Sequence, residues 1–108
     1  MKLVDLVKYF RNGGTYQDFC KQYSLNFDSE VIEIYMETPF QIDKELSFFE
    51  LEQTEGVLEF EVNNIVLSSL FDFYVFLDMI EESNQETYKN VSDLDIAKRL
   101  ISYGLNNA

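Results

Sequence analysis

The feature that most constrains this chain is the block over residues 57–82, VLEFEVNNIVLSSLFDFYVFLDMIEE, the longest apolar stretch in the sequence. Its period changes along its length. Leu58, Phe60 and Val62 alternate with Glu59 and Glu61, the two-residue repeat of a half-buried strand. Asn63-Asn64 is a hairpin signal, because both residues tolerate the left-handed angles a tight turn requires, and Ile65, Val66 and Leu67 read as the return strand. Ser69 with Asp72 three residues on matches a capping box, so a helix is expected from Leu70 to Ile80. That helix is apolar on most faces and belongs inside the protein. It is too short for a membrane span, and Asp72 and Asp78 interrupt it.

Upstream, Leu3, Leu6, Val7 and Phe10 share one face of a first helix, which Arg11-Asn12-Gly13-Gly14 ends. Thr15, with Asp18 at the box position, caps a second helix carrying Tyr16, Phe19, Cys20 and Tyr23. Residues 28–37 are read as a third helix, started by Asp28 with Phe27 stapled on Ile32, which places Glu30, Glu33 and Glu37 in an acidic row. The β-branched content of the same segment leaves a strand as the alternative. Thr38-Pro39 ends the segment in either case. Three helices with a glycine corner suggest a DNA-binding helix-turn-helix, but the third would carry three glutamates and no base, the wrong charge for a phosphate groove.

Residues 46–53 read as a strand that turns at Glu55-Gly56 and pairs with residues 57–62. In that register Leu51 faces Phe60 and Phe49 faces Val62 on one side, while Glu52 faces Glu59 and Glu50 faces Glu61 on the other. The second turn places Val62 by Ile65 and Phe60 by Leu67. The expectation is a three-stranded antiparallel meander with an apolar face and a face lined by Glu50, Glu52, Glu59 and Glu61. Like charges opposed on a sheet are destabilising by up to about 1 kcal/mol a pair, so such a face is either tolerated in solvent or relieved by a cationic partner. Divalent metal is a third reading, but no calcium-loop pattern is present and strand glutamates make a poor cage. After a polar segment over residues 81–90, Ser92 with Asp95 caps a last helix. Ile96, Ala97, Leu100 and Ile101, with Leu105, line its inner side, and it frays from Gly104 to Asn107. The fold class expected is α+β, one domain over residues 1–108: N-terminal helices, three-stranded meander, buried central helix and C-terminal helix.

Charge narrows function further. The net charge is −12 over 108 residues, but residues 1–25 hold four bases against two acids, whereas residues 26–95 hold eighteen acids against Lys44 and Lys89. That field repels nucleic acid and anionic membrane and speeds encounter with a basic partner. Hydrophobic residues at 46% and aromatics at 16% exclude a disordered acidic tail. No histidine is present, which removes histidine zinc sites and catalytic triads. The single Cys20 is read as a core residue in a reducing, cytoplasmic setting, and no secretory signal is visible over residues 1–12. The seven tyrosines are of the type enriched at interface hot spots.

The stretches DFCKQYSLNFDSE, LFDFYVFLDMIEE and SDLDIAKRLISYGLNN resemble small acidic bacterial immunity proteins, in particular those of contact-dependent growth inhibition systems. The resemblance covers the whole chain. It implies a cytoplasmic, non-catalytic protein, without cofactor, that binds a cognate toxin domain, commonly a basic nuclease, and blocks its active site. It carries no residue across, so the partner-binding residues expected here come from charge and register: Glu30, Glu33, Glu37, Glu50, Glu52, Glu59, Glu61 and Tyr35. The alternatives are a DNA-mimic inhibitor of a nucleic-acid-binding protein, a small metal-dependent hydrolase, and a subunit whose patches drive self-association, as in a homodimer.

Overall fold

The computed structural model describes residues 1–85 and 87–107, with Phe60 and Asn107 described through their backbone alone. The class is α+β. The elements run α1 (Leu3–Arg11), α2 (Tyr16–Gln22), β1 (Ile32–Glu37), β2 (Leu46–Glu50), α3 (Leu51–Thr54), β3 (Glu59–Val62), β4 (Ile65–Asp72), α4 (Phe73–Ser83) and α5 (Asp93–Asn107). The strands form one antiparallel sheet in the order β2-β1-β4-β3, four strands rather than three.

The extra strand is β1, where a helix was expected over residues 28–37. Five of its six residues are buried. It pairs with β2 on one side and β4 on the other, and both its faces are covered. A central strand of this kind shows no alternation of burial. The spacing of Glu30, Glu33 and Glu37 therefore imitates a helical row, while Ile32, Ile34 and Tyr35 follow their strand preference. The strand stops before the cis Thr38-Pro39 peptide.

Ile32, Ile34 and Met36 face the helices and join Leu46 and Phe71 from the neighbouring strands in the core. Onto this face α1 brings Leu3, Leu6, Val7 and Phe10, α2 brings Phe19 and Cys20, α4 brings Phe73, Phe76 and Ile80, and α5 brings Ile96, Ala97, Leu100 and Ile101. Phe73 is the hub of its aromatic part, with the rings of Phe10, Tyr16, Phe19, Phe48 and Phe76 centred 4.9–6.1 Å away. The Thr15 cap forms as expected, its side chain accepting from the Asp18 amide at 3.2 Å. Ser92 likewise accepts from the Asp95 amide at 3.1 Å.

The reading of residues 46–62 is corrected. β2 ends at Glu50, and the next residues make one helical turn, α3. Glu55 and Gly56 do adopt left-handed angles (φ 55° and 74°), but they close that turn instead of making a hairpin. The chain then crosses the sheet face opposite the helices to reach β3 on the far edge. On the way Tyr35 Oη donates to the Val57 carbonyl. The second hairpin matches expectation: Asn63 and Asn64 both have positive φ, and Val62 pairs with Ile65 and Phe60 with Leu67. The side chain of Phe60, expected on the apolar side, lies outside the described residues.

The start of α4 is also corrected. Ser69 is in β4, its amide bonded to the Leu58 carbonyl at 2.8 Å. The strand runs on to Asp72, which is itself the N-cap and accepts from the Val75 amide at 2.9 Å. Asp72→Ala is expected to lower stability by about 1 kcal/mol, and Asp72→Asn, which can still cap, by much less; thermal melts of the two variants check this. Between Ile34 and Tyr35 the β1–β4 register shifts by one, leaving Leu70 as the extra residue of a bulge. Gly104 sits against it: a Cβ there would lie 2.7 Å from Leu70 Cδ2. Gly104 thus lets α5 close onto β4 and does not fray the helix, which continues to Asn107. Leu105, expected on the inner stripe, is 59% exposed.

Candidate partner-binding surface

The structure divides the expected carboxylate face. Glu50 and Glu52 lie at the β2 end of the sheet and Glu59 and Glu61 on β3 at the opposite edge. Glu50 does not face Glu61; it pairs with Ile32 and accepts from the Asn26 amide at 3.1 Å. Glu52 accepts from the Ser29 hydroxyl at 2.7 Å and the Glu30 amide at 3.0 Å. These bonds hold its carboxyl below the usual range, with Ser29 the larger influence. Glu50 and Glu52 therefore tie the loop before β1 to α3, and Glu30 and Glu52 meet within that tie. Glu37 is exposed at the end of β1, opposite Leu67.

Tyr35 and Glu33 are corrected as contact residues. Tyr35 has no exposed surface and Glu33 is 8% exposed, so neither reaches a partner in this fold. They share the sheet face that the β2–β3 connection covers, with the Tyr35 ring 5.8 Å from that of Phe49. Burial pushes the Glu33 carboxyl up; hydrogen bonding to Tyr35 and Ser69 opposes this, and Asp72, its register partner across the sheet, adds to it. The Tyr35 hydroxyl has a single proton and gives it to Val57.

The sign of the resulting pH dependence follows from linkage. With its folded value above the ordinary 4.5, Glu33 is more readily protonated in the folded chain than in the unfolded one. Its charge is therefore destabilising once the pH exceeds the folded value, and the effect vanishes below the unfolded one. Glu33→Gln is expected to raise Tm at pH 7.5 and to lose that advantage as the pH falls below 4.5. Melting curves of both proteins across this range check it.

Of the expected residues Glu30, Glu37, Glu52, Glu59 and Glu61 are exposed, and the last two stand on the β3–β4 hairpin. Glu59 and Glu61 are exposed there, with Val57 at 42%, Leu58 at 68%, Ile65 at 44% and Val66 at 41% exposure. Residues 45–88 hold eleven acids and no lysine or arginine, so no cation from this part of the sequence neutralises the hairpin. Neither Glu59 nor Glu61 makes a described side-chain hydrogen bond or ion pair. Leu58, Val57, Ile65 and Val66 were missed as surface residues. For Ile65 and Val66 the signal is the adjoining Asn-Asn turn; no local signal marks Val57 and Leu58, which lie at the far end of the hairpin. Of the tyrosines, Tyr23, Tyr74 and Tyr103 are exposed at 37–48%, the first two near the aromatic edge of the core and the third on α5.

Among the described residues no three acids or cysteines group as metal ligands. The cavity lined by Met79, Glu82, Ser83, Tyr88, Ile96, Arg99 and Leu100 holds about 110 Å³, under the size usual for small-molecule sites, whereas two more open depressions, beside Asp5, Lys8, Tyr9 and Tyr23 and beside Asn84, Lys89 and Asp93, hold about 560 and 420 Å³. Cys20 is fully buried, and burial pushes its thiol up, away from the thiolate a nucleophile needs. Among the described residues no helix is long and apolar enough to cross a membrane. No protein-family model matches the chain, and no curated protein or solved structure matches it significantly.

Proposed function

We propose that this chain is a stoichiometric inhibitor of a basic protein, and specifically an immunity protein that neutralises a cognate toxin domain in the cytoplasm. The partner's cationic groups would be those that hold phosphate, as in a nuclease. The observation that carries the reading is the exposed β3–β4 hairpin, where two unneutralised glutamates stand among exposed aliphatic side chains in the most acidic part of the chain. Acidic charge steers a basic partner and fixes its orientation, and apolar groups removed from water hold it. The mechanism needs no catalytic group. Two glutamates on one edge do not make the long double row of acids that a phosphate mimic requires, so the DNA-mimic reading has less support than it had from the sequence.

The test is a neutralisation titration. Basic polypeptides captured from the native host by the tagged chain, and released by salt, are assayed for nuclease activity with increasing amounts of the chain. The expected result is a linear fall in activity that ends at one equivalent. Captured nucleases that stay fully active at several equivalents would overturn the proposal.

A further inference from the structure

The free side of β3 has a definite hydrogen-bonding state. In a two-residue hairpin the pair flanking the turn exchanges both backbone bonds, and bonded and non-bonded pairs then alternate. Val62–Ile65 is that first pair, and the Ser69 amide on the Leu58 carbonyl shows the alternation holding two steps later. Glu59–Ser68 and Glu61–Val66 are therefore non-bonded pairs. The amides and carbonyls of Glu59 and Glu61 point away from β4, off the open edge of the sheet, and no described backbone group meets them. The β2 edge differs: Met1 accepts from the Leu46 amide at 2.8 Å and Lys2 bridges to Glu45.

Sheet edges are commonly guarded by lysine, proline or a bulge. β3 has no lysine or proline, and its only guards are Glu59 and Glu61. Those carboxylates repel a second copy of the same edge, since antiparallel pairing of two β3 strands would oppose acid to acid. They attract a strand that carries lysine or arginine.

We infer that β3 is a docking edge to which an extended basic segment of the partner adds as a fifth strand, bonding to the backbone of Glu59 and Glu61 while its cations meet their side chains. This rests on the reading of the partner as a basic protein and names how that partner is held.

The test uses the full chain and a capped ten-residue peptide alternating lysine with valine, with a glutamate–valine peptide as control. Residue-resolved amide exchange is measured in each. The lysine peptide is expected to slow exchange at Glu59 and Glu61 by about tenfold or more, and the glutamate peptide to leave both amides unchanged. Glu61→Pro removes the outward amide without touching the β3–β4 ladder, and should weaken the lysine peptide at least about tenfold more than Glu61→Gln, which keeps the amide. Equal protection by both peptides, protection confined to the β2 edge, or protection that appears without peptide as the chain is concentrated would overturn the inference, the last in favour of a second copy. A neutralised nuclease that leaves the Glu59 and Glu61 amides exchanging freely would remove the strand addition and leave the inhibitor reading standing. Slowed exchange with the lysine peptide, in a chain that neutralises no nuclease, would do the reverse.

Discussion

Arg11→Ala is expected to lower stability by about 3 kcal/mol, roughly 12 °C or more in Tm, the largest loss foreseen for any single charged residue. The Arg11 side chain is 8% exposed although it ends a surface helix. Its Nη1 donates to the Val91 carbonyl at 2.7 Å and to Asp93 Oδ1 at 3.0 Å. Its Nη2 lies 3.3–3.4 Å from the carbonyls of Ser83, Tyr88 and Lys89. One guanidinium thus gathers the connection between α4 and α5 and pins it to the end of α1. Alanine leaves those carbonyls and a partly buried carboxylate without their donor, and such unpaired groups are more destabilising than the bonds were stabilising. Arg11→Lys keeps the charge but not the planar fork, and should recover less than half of the loss. Asp93→Asn should be milder than either, because Asp93 is 28% exposed and water can replace its partner. Thermal and urea melts of the three variants check the order.

Glu59→Lys combined with Glu61→Lys is expected to raise the Kd for the basic partner by about a thousandfold, roughly 4 kcal/mol, while changing stability by no more than about 0.5 kcal/mol. The two effects separate because these carboxylates serve no described bond inside the fold. Attraction becomes repulsion at both positions, and the aliphatic neighbours then have to dock against a like-charged surface. Reversing Glu50 and Glu52 instead should show the opposite pattern: a marked loss of stability, because the Asn26 and Glu30 amides and the Ser29 hydroxyl lose their acceptors, with a smaller change in binding. Calorimetric titration of both pairs, each matched to its own melting curve, distinguishes the sites.

Local signals in this sequence are trustworthy where their partners are close in the chain. The Thr15 and Ser92 caps, the Asn63-Asn64 turn and the amphipathic faces of α1 and α5 are each decided within a few residues, and each forms. Signals that depend on which strand lies beside which are not decided locally. Glu55-Gly56 carries the backbone angles of a hairpin, yet α3 uses them as its end, because β1 and not β3 occupies the place next to β2. Ser69 and Asp72 match a box, yet Ser69 is held in the sheet by Leu58 and Tyr35, so Asp72 does the capping. In β1 burial on both faces erases the alternation by which a strand is recognised.

The site divides along the same line. The acid–apolar alternation of residues 57–62 is legible, and it correctly marks Glu59 and Glu61 as exposed. That Glu50 and Glu52 serve the fold, that Glu33 and Tyr35 are buried, and that Arg11 reaches residues more than seventy positions away all follow from long-range topology. Gly104 belongs with these: its sequence context reads as a helix end, and only the Leu70 bulge opposite explains why a glycine stands inside α5.

The most direct measurement is photo-cross-linking from single positions of otherwise native chain to the nuclease it captures. Benzoylphenylalanine is placed at Leu58 on the hairpin or, as a control exposed on another element, at Leu94 on α5. Cross-links from position 58 to a basic segment of the nuclease, with none from position 94, are expected. Cross-links from position 94 with none from position 58 would contradict docking through the hairpin.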